Sequence, residues 1–151
     1  MATTRSTASG LAAHLRLAVT RTARRLRQEA GGGLSPTLSA ALASIERHGP
    51  LTPSELAARE RVQRPTATRL IAGLEERGLV GRTADPGDRR SSLIAVTPEG
   101  AALLRELRTR KDAFLARRLR DLPTEDRDTL ARAAVLLERL LEEEEGEGAG
   151  R

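Results

Sequence analysis

Along most of this chain the apolar residues recur at three- and four-residue steps, the period of a helix with one buried face. Leu11, Leu15, Ala18, Val19 and Leu26 predict a first amphipathic helix, ended by Gly31-Gly32-Gly33. Ser35-Pro36 supplies an N-cap and a first-turn proline for a second, running through Leu38, Leu42 and Ile45 to Gly49-Pro50. Thr52-Pro53-Ser54-Glu55 is a capping box opening a short third helix with Leu56 and Ala57. A fourth spans Arg64 or Pro65 to Arg77 and stops at Gly78. The helical period then lapses. Two short apolar runs, Leu79-Val80 and Leu93-Ile94-Ala95-Val96, flank a turn-rich stretch and predict a two-stranded ribbon. Helical spacing resumes after Thr97-Pro98-Glu99 and runs to Leu119. Leu122-Pro123 breaks it, and a last helix follows through Leu130, Leu137 and Leu141.

The expected fold is mainly α with a small β-wing: a winged helix-turn-helix flanked by N- and C-terminal dimerisation helices. Residues 1–10 are expected to be a disordered tail and 11–33 a dimerisation helix. Residues 34–98 form the winged domain, 99–145 the C-terminal dimerisation helices and 146–151 a flexible tail. The last helix carries a wide apolar stripe of Leu130, Ala133, Ala134, Leu137, Leu140 and Leu141. A second copy would bury it; an ordinary monomeric core is the alternative.

Projected at about 100° per residue, the fourth helix turns Ala67, Leu70, Ile71 and Leu74 inward. Pro65, Thr66, Arg69, Ala72 and Gly73 point away, with Thr68 on a flank. The outer face is small except for Arg69, so it suits a major groove, where arginine forks onto a guanine edge and threonine meets phosphate or a thymine methyl. Gln63 and Arg64 stand at the helix start, placed for phosphate or base contact. Asp88-Arg89-Arg90 puts two guanidiniums at the ribbon tip, where a narrow minor groove would attract them. Asp88 repels phosphate, so its expected task is to hold Arg89 or Arg90 by a forked ion pair.

Charge supports a polyanionic partner. The 151 residues carry a net charge of +5. Five acids lie in the tail (Glu142, Glu143, Glu144, Glu145 and Glu147), so the remainder carries +10. Lys111 is the only lysine, so arginine abundance by itself says little and the placement of the arginines carries the weight. With no cysteine, disulfides, thiolate metal sites and thiol sensing are excluded. Two separated histidines, His14 and His48, offer no metal-ligand spacing. No metal or cofactor is expected, and no membrane contact, since no apolar run approaches the roughly 18 residues of a span. A cytoplasmic location is expected. Nothing resembles a nucleophile–base pair or a phosphate loop, so an enzyme is poorly supported.

Residues 51–100 resemble the multiple antibiotic resistance regulator (MarR) family of transcription factors. They show an LT..ELA opening, a T.TR helix, LE..GLV.R, a D..DRR wing and a closing T..G at unbroken spacing. With its flanking helices the resemblance extends over residues 11–141. It implies a triangular homodimer on double-stranded DNA, with a pseudo-palindromic operator and half-sites about one helical turn apart. Arg90 matches the family's minor-groove arginine and Asp88 its supporting carboxylate. The expected DNA-binding residues are therefore Gln63, Arg64, Pro65, Thr66, Thr68, Arg69, Asp88, Arg89 and Arg90. The resemblance further implies a repressor of nearby genes, released by a small aromatic or phenolic ligand between the dimer helices and the winged domain. His14 is a candidate to line that crevice, while His48 suits a helix C-terminal cation. A sequence-tolerant architectural DNA binder without ligand response is the alternative.

Overall fold

The computed structural model describes residues 7–145, with side chains as far as Leu141. Six helices and one hairpin follow in order: α1 (Ala8–Ala30), α2 (Pro36–His48), α3 (Pro53–Arg59), α4 (Arg64–Glu76), β1 (Val80–Ala84), β2 (Ser92–Val96), α5 (Pro98–Arg120) and α6 (Thr124–Glu145). This is the mainly helical, winged architecture that the residue pattern predicts. Two compact units divide the chain between Lys111 and Asp112, within α5.

Local chemistry sets the element ends. Thr7 caps α1 through a bond from the Gly10 N–H to its Oγ1 at 3.2 Å. The expected N-terminal tail is therefore too long: Ala8–Gly10 are helical, because a hydroxyl-rich stretch read as loose contains a cap. Residues 1–6 and 146–151, the rest of the expected tails, lie outside the described residues. Ser35 caps α2. The capping box of α3 is reciprocal: Thr52 N–H donates to Glu55 Oε2 at 2.7 Å and Glu55 N–H donates to Thr52 Oγ1 at 3.2 Å. These bonds hold the Glu55 carboxyl below the usual carboxylate range, the backbone bond from Thr52 most of all. Between α3 and α4 the chain reverses through Arg61 at φ 51°, left-handed backbone that a non-glycine residue rarely adopts. The Val62 N–H closes the turn on the Ala57 carbonyl at 3.0 Å.

The core of the first unit lies where α2, α3 and α4 meet the hairpin. Leu42, Ile45, Leu56, Ile71, Leu74 and Ile94 are fully buried, and each contributes about 1.5–3 kcal/mol by leaving water. The strands pair antiparallel with Val80 opposite Val96 and Ala84 opposite Ser92. Leu51 adds a bridge to the free edge of β2, exchanging N–H···O bonds of 2.9 and 2.7 Å with Ile94. The sequence did not foretell it, since Leu51 stands alone between Pro50 and the α3 cap.

The closing T..G motif has a mechanical explanation. Thr97 Oγ1 donates to the Gly78 carbonyl at 2.6 Å and accepts from the Gly100 N–H at 3.1 Å, tying the end of α4 to the start of α5. Gly100 lies so close to Leu79 that an added Cβ would run into the Leu79 backbone carbonyl. Further along α5, Arg108 pairs with Glu46 of α2, and Arg110 Nη1 donates to the Ala30 carbonyl of α1 at 2.8 Å. The first unit thus takes in α1 and the first half of α5, segments that the residue pattern had marked for dimerisation.

In the second unit, the guanidinium of Arg118 lies 5.5 Å from the ring centre of Phe114, the chain's lone aromatic. Helix α6 exposes Leu130, Val135, Leu136, Leu140 and Leu141, the last at 70%. Its apolar surface is wider than the predicted stripe. Ala133 and Leu137 are half-buried, and Val135 and Leu136 join the exposed residues.

Candidate nucleic-acid interface

Helix α4 buries Ala67, Ile71 and Leu74 against the core, which leaves its opposite face to solvent. Gln63, Arg64, Pro65, Thr68, Arg69 and Ala72 are exposed. Two residues expected to point outward do not do so fully. Thr66 is half-buried in the first turn, and Gly73 is half-buried where α4 passes Leu38, whose Cδ2 would lie 3.5 Å from an added Cβ. Helical projection alone cannot see that neighbour. The Thr68 hydroxyl donates to the Arg64 carbonyl at 3.0 Å. Its donor is thus turned back into the helix, and it offers outward a lone pair and a methyl group.

The wing tip is built by backbone bonds. The Gly87 N–H donates to Asp85 Oδ1 and the Arg90 N–H to Asp88 Oδ1, both at 2.9 Å. The Ser91 N–H closes on the Asp88 carbonyl at 3.0 Å, making Arg89 and Arg90 the central residues of a β-turn. Among the described residues the expected forked ion pair from Asp88 to an arginine is not formed; its carboxylate instead accepts the turn's own N–H. Arg89 and Arg90 are exposed and have no ion pair among the described residues. Both guanidiniums face solvent, open to a partner.

Helix and wing meet in a cleft of about 200 Å³. Arg64 and Thr68 line it from α4, Arg82 from β1, and Arg90, Ser91 and Ser92 from the far side of the hairpin. Three of the predicted residues are thereby brought together, and Arg82, Ser91 and Ser92 are added. Arg82 is held from two sides. Its Nε and Nη2 donate to Glu75 Oε1 and Oε2 at 2.7 and 3.1 Å, and its Nη1 donates to Ser92 Oγ at 3.1 Å. The signal for Arg82 was present in the LE..GLV.R spacing, but its partner on α4 emerges only when the chain folds back. Gln63, Pro65 and Arg69 lie outside this cleft on the same helix. Arginines, hydroxyls and an exposed N-terminal turn together make a surface able to bind phosphate oxygens and base edges at once.

A second cleft, of about 360 Å³, opens among the last turns of α1, the start of α2 and the middle of α5. Its cations are Arg24, Arg27 and Lys111, with Leu34 and Leu107 among its apolar walls. His14, expected to line such a crevice, does not. It is exposed on α1, ten residues before Arg24, or roughly 15 Å along the axis. His48 occupies the last turn of α2. Among the described residues, no three His, Asp or Glu gather as metal ligands. No described helix is long and apolar enough to cross a membrane.

Known proteins carry the same framework. The sequence profile of the MarR family matches residues 34–92. An uncharacterized HTH-type transcriptional regulator of Mycobacterium leprae is 40% identical over 134 residues, covering 88% of this chain and 94% of that protein. Among solved structures, a transcriptional regulator of Pseudomonas aeruginosa superposes with a TM-score of 0.78 at 39% identity, covering 87% of this chain and 93% of that one. A Staphylococcus aureus MepR variant bound to an oligodeoxyribonucleotide shares the fold, with a TM-score of 0.67 at 20% identity over 86% of this chain and 97% of its own. Proteins of this kind are transcription regulators rather than enzymes. With its capped helix-turn-helix, arginine-tipped wing and likeness to such regulators over 88% of its length, the chain belongs to the MarR family.

Proposed function

We propose that this regulator is a homodimeric repressor that binds a pseudo-palindromic operator, each subunit placing α4 in a major groove and its wing in the adjacent minor groove. One observation carries the reading: Arg64 and Arg90, one on the helix and one on the wing, share a single cleft and have no ion pair among the described residues. Gln63, Arg64, Pro65, Thr66, Thr68 and Arg69 are the helix contacts, and Arg89 and Arg90 the wing contacts. Asp88 serves by shaping the turn. Within the cleft, Arg64 and Arg90 would hold a backbone phosphate, which fixes register, while Arg69 reads a base edge. The MepR variant of the same fold, bound to an oligodeoxyribonucleotide, supports DNA as the partner.

The dimer is supported by the apolar residues that α6 and α1 leave exposed: Leu130, Leu136, Leu140 and Leu141 on one, Leu11, Leu17 and Val19 on the other. Leucines so numerous and contiguous on a helix mark a surface covered by another chain. A second copy carries the same two helices and would cover each of them by two-fold symmetry. As a chromosomal repressor the protein would act in the cytoplasm.

The cationic cleft at the junction of α1, α2 and α5 is the proposed effector site. Its mixed lining suits an aromatic acid better than a neutral phenol, since Arg24, Arg27 and Lys111 favour a negative charge. Closing a ligand onto it would shift the helices that carry the winged domain and so release operator.

The decisive experiment is selection of bound fragments from random and genomic DNA by purified protein, with sedimentation analysis of its mass. The expected outcome is a dimer and a symmetric consensus with half-sites about one helical turn apart. Steep salt dependence without sequence preference would instead make it an architectural DNA binder. A stable monomer would overturn the dimer.

A further inference from the structure

We propose that Glu75 and Arg82 form a register clamp, a pair of positioning residues that sets the spacing between α4 and the wing without touching DNA. The inference rests on the DNA-binding reading above. Three guanidiniums line the cleft between helix and wing, and they differ in kind. Those of Arg64 and Arg90 have no ion pair among the described residues. That of Arg82 is neutralised by a two-toothed bond to the Glu75 carboxylate and spends a third donor on Ser92 Oγ. An arginine so engaged is a weak phosphate ligand, because binding DNA would require it to release a charge-assisted fork.

Position gives the pair its leverage. Glu75 stands in the last turns of α4 next to Leu74, which is fully buried, and Arg82 stands on β1 two residues after buried Val80. Both ends are therefore anchored in the core, and Ser92 ties the fork to the opposite strand. The hairpin tip lies seven residues beyond Arg82 at Arg89, so a small pivot at the base moves the tip far. The fork is planar and admits one orientation. It holds that pivot still.

Salt dependence separates a clamp from a phosphate contact. In fluorescence anisotropy titrations against operator and random duplexes, Arg82→Gln should narrow the preference for operator by about tenfold, mid-range for coupled side chains. The slope of log affinity against log salt should stay unchanged. Arg90→Gln should instead lower that slope by about 1, as expected when one phosphate contact is lost. Hydroxyl-radical footprints of Arg82→Gln should lose wing protection in the minor groove while guanine protection by α4 persists. A slope lowered by about 1 with preference intact would make Arg82 a phosphate ligand and overturn the clamp.

Should Arg82→Gln fail to fold, Glu75→Gln, close in shape, carries the same test. Narrowed preference at constant slope supports the clamp. A steeper slope with preference intact overturns it, because Glu75 would then only be restraining a DNA-binding arginine. Wild-type protein in the same titrations separates the two ideas: if it binds operator selectively and the variants do too, the clamp alone fails, and if it binds no DNA, both fail.

Discussion

The carboxylate of Asp88 grips the backbone N–H of Arg90 at 2.9 Å, and the guanidinium of that residue has no ion pair among the described residues. The acid in the wing therefore fixes the shape of the turn and leaves the arginine side chain exposed. Asp88→Asn retains an acceptor in the same place and removes a negative charge that repels phosphate. It should hold or raise DNA affinity, whereas Asp88→Ala, with no acceptor, should weaken binding by about 1 kcal/mol. An ion-pair role would make both variants weaken together in an anisotropy titration.

Arg90→Ala should weaken operator binding by about 1–3 kcal/mol while sedimentation shows an unchanged dimer. Arg69→Ala, on the exposed face of α4 outside the cleft, should relax base preference. Selection from random DNA measures this directly; an unaltered consensus would reduce Arg69 to a positioning contact.

The capping box at Thr52 and Glu55 predicts a pH dependence of stability. Its bonds lower the Glu55 pKa in the folded chain, so the folded state binds this proton less readily than the unfolded one. The resulting stabilisation is full above the ordinary carboxylate pKa and disappears as pH falls through the lowered value. Urea unfolding from neutral to acid pH should show a shallower acid limb for Glu55→Gln. Thr52→Ala should cost about 1 kcal/mol near neutrality.

Gly100→Ala tests the close approach of α5 to the start of the hairpin. The new methyl would meet the Leu79 carbonyl, and relief requires moving backbone on one side, at a cost of about 1–3 kcal/mol. Thermal unfolding measures it. A neutral result would mean that the first turn of α5 moves aside freely.

Leu136→Glu places a charge on the exposed apolar surface of α6. If a second copy covers that surface, sedimentation should show a monomer with helix content close to that of the parent chain. DNA affinity should fall steeply, because two half-sites would no longer be bound as one unit. A dimer of undiminished stability would move the interface elsewhere.

Much of the molecule is written locally. Helix starts were legible because Ser35 and Thr52 carry capping hydroxyls followed by proline, and the stop of α4 because Gly78 takes φ 68°, which glycine adopts without strain. The inward face of α4 was legible because helical geometry is periodic. Less legible were contacts whose partners are distant or are backbone groups. The half-burial of Gly73 against Leu38, the Leu51 bridge and the bond from Asp88 to a backbone N–H fall in that class. Thr7 shows the opposite failure, a cap disguised by neighbours that resemble a loose tail.

From its residues alone, this chain determined the order of helices and strands, the buried face of α4 and the two arginines at the wing tip. Each depends on interactions within a few residues, where spacing and side-chain type suffice. Tertiary structure decided which arginines are free. Arg82 and Arg90 are the same residue type, eight positions apart on one hairpin, yet among the described residues only the Arg82 guanidinium meets a carboxylate, because chain reversal at Gly78 brings β1 back alongside Glu75. A guanidinium's role follows from its neighbours in space, and those neighbours exist only once the chain has folded.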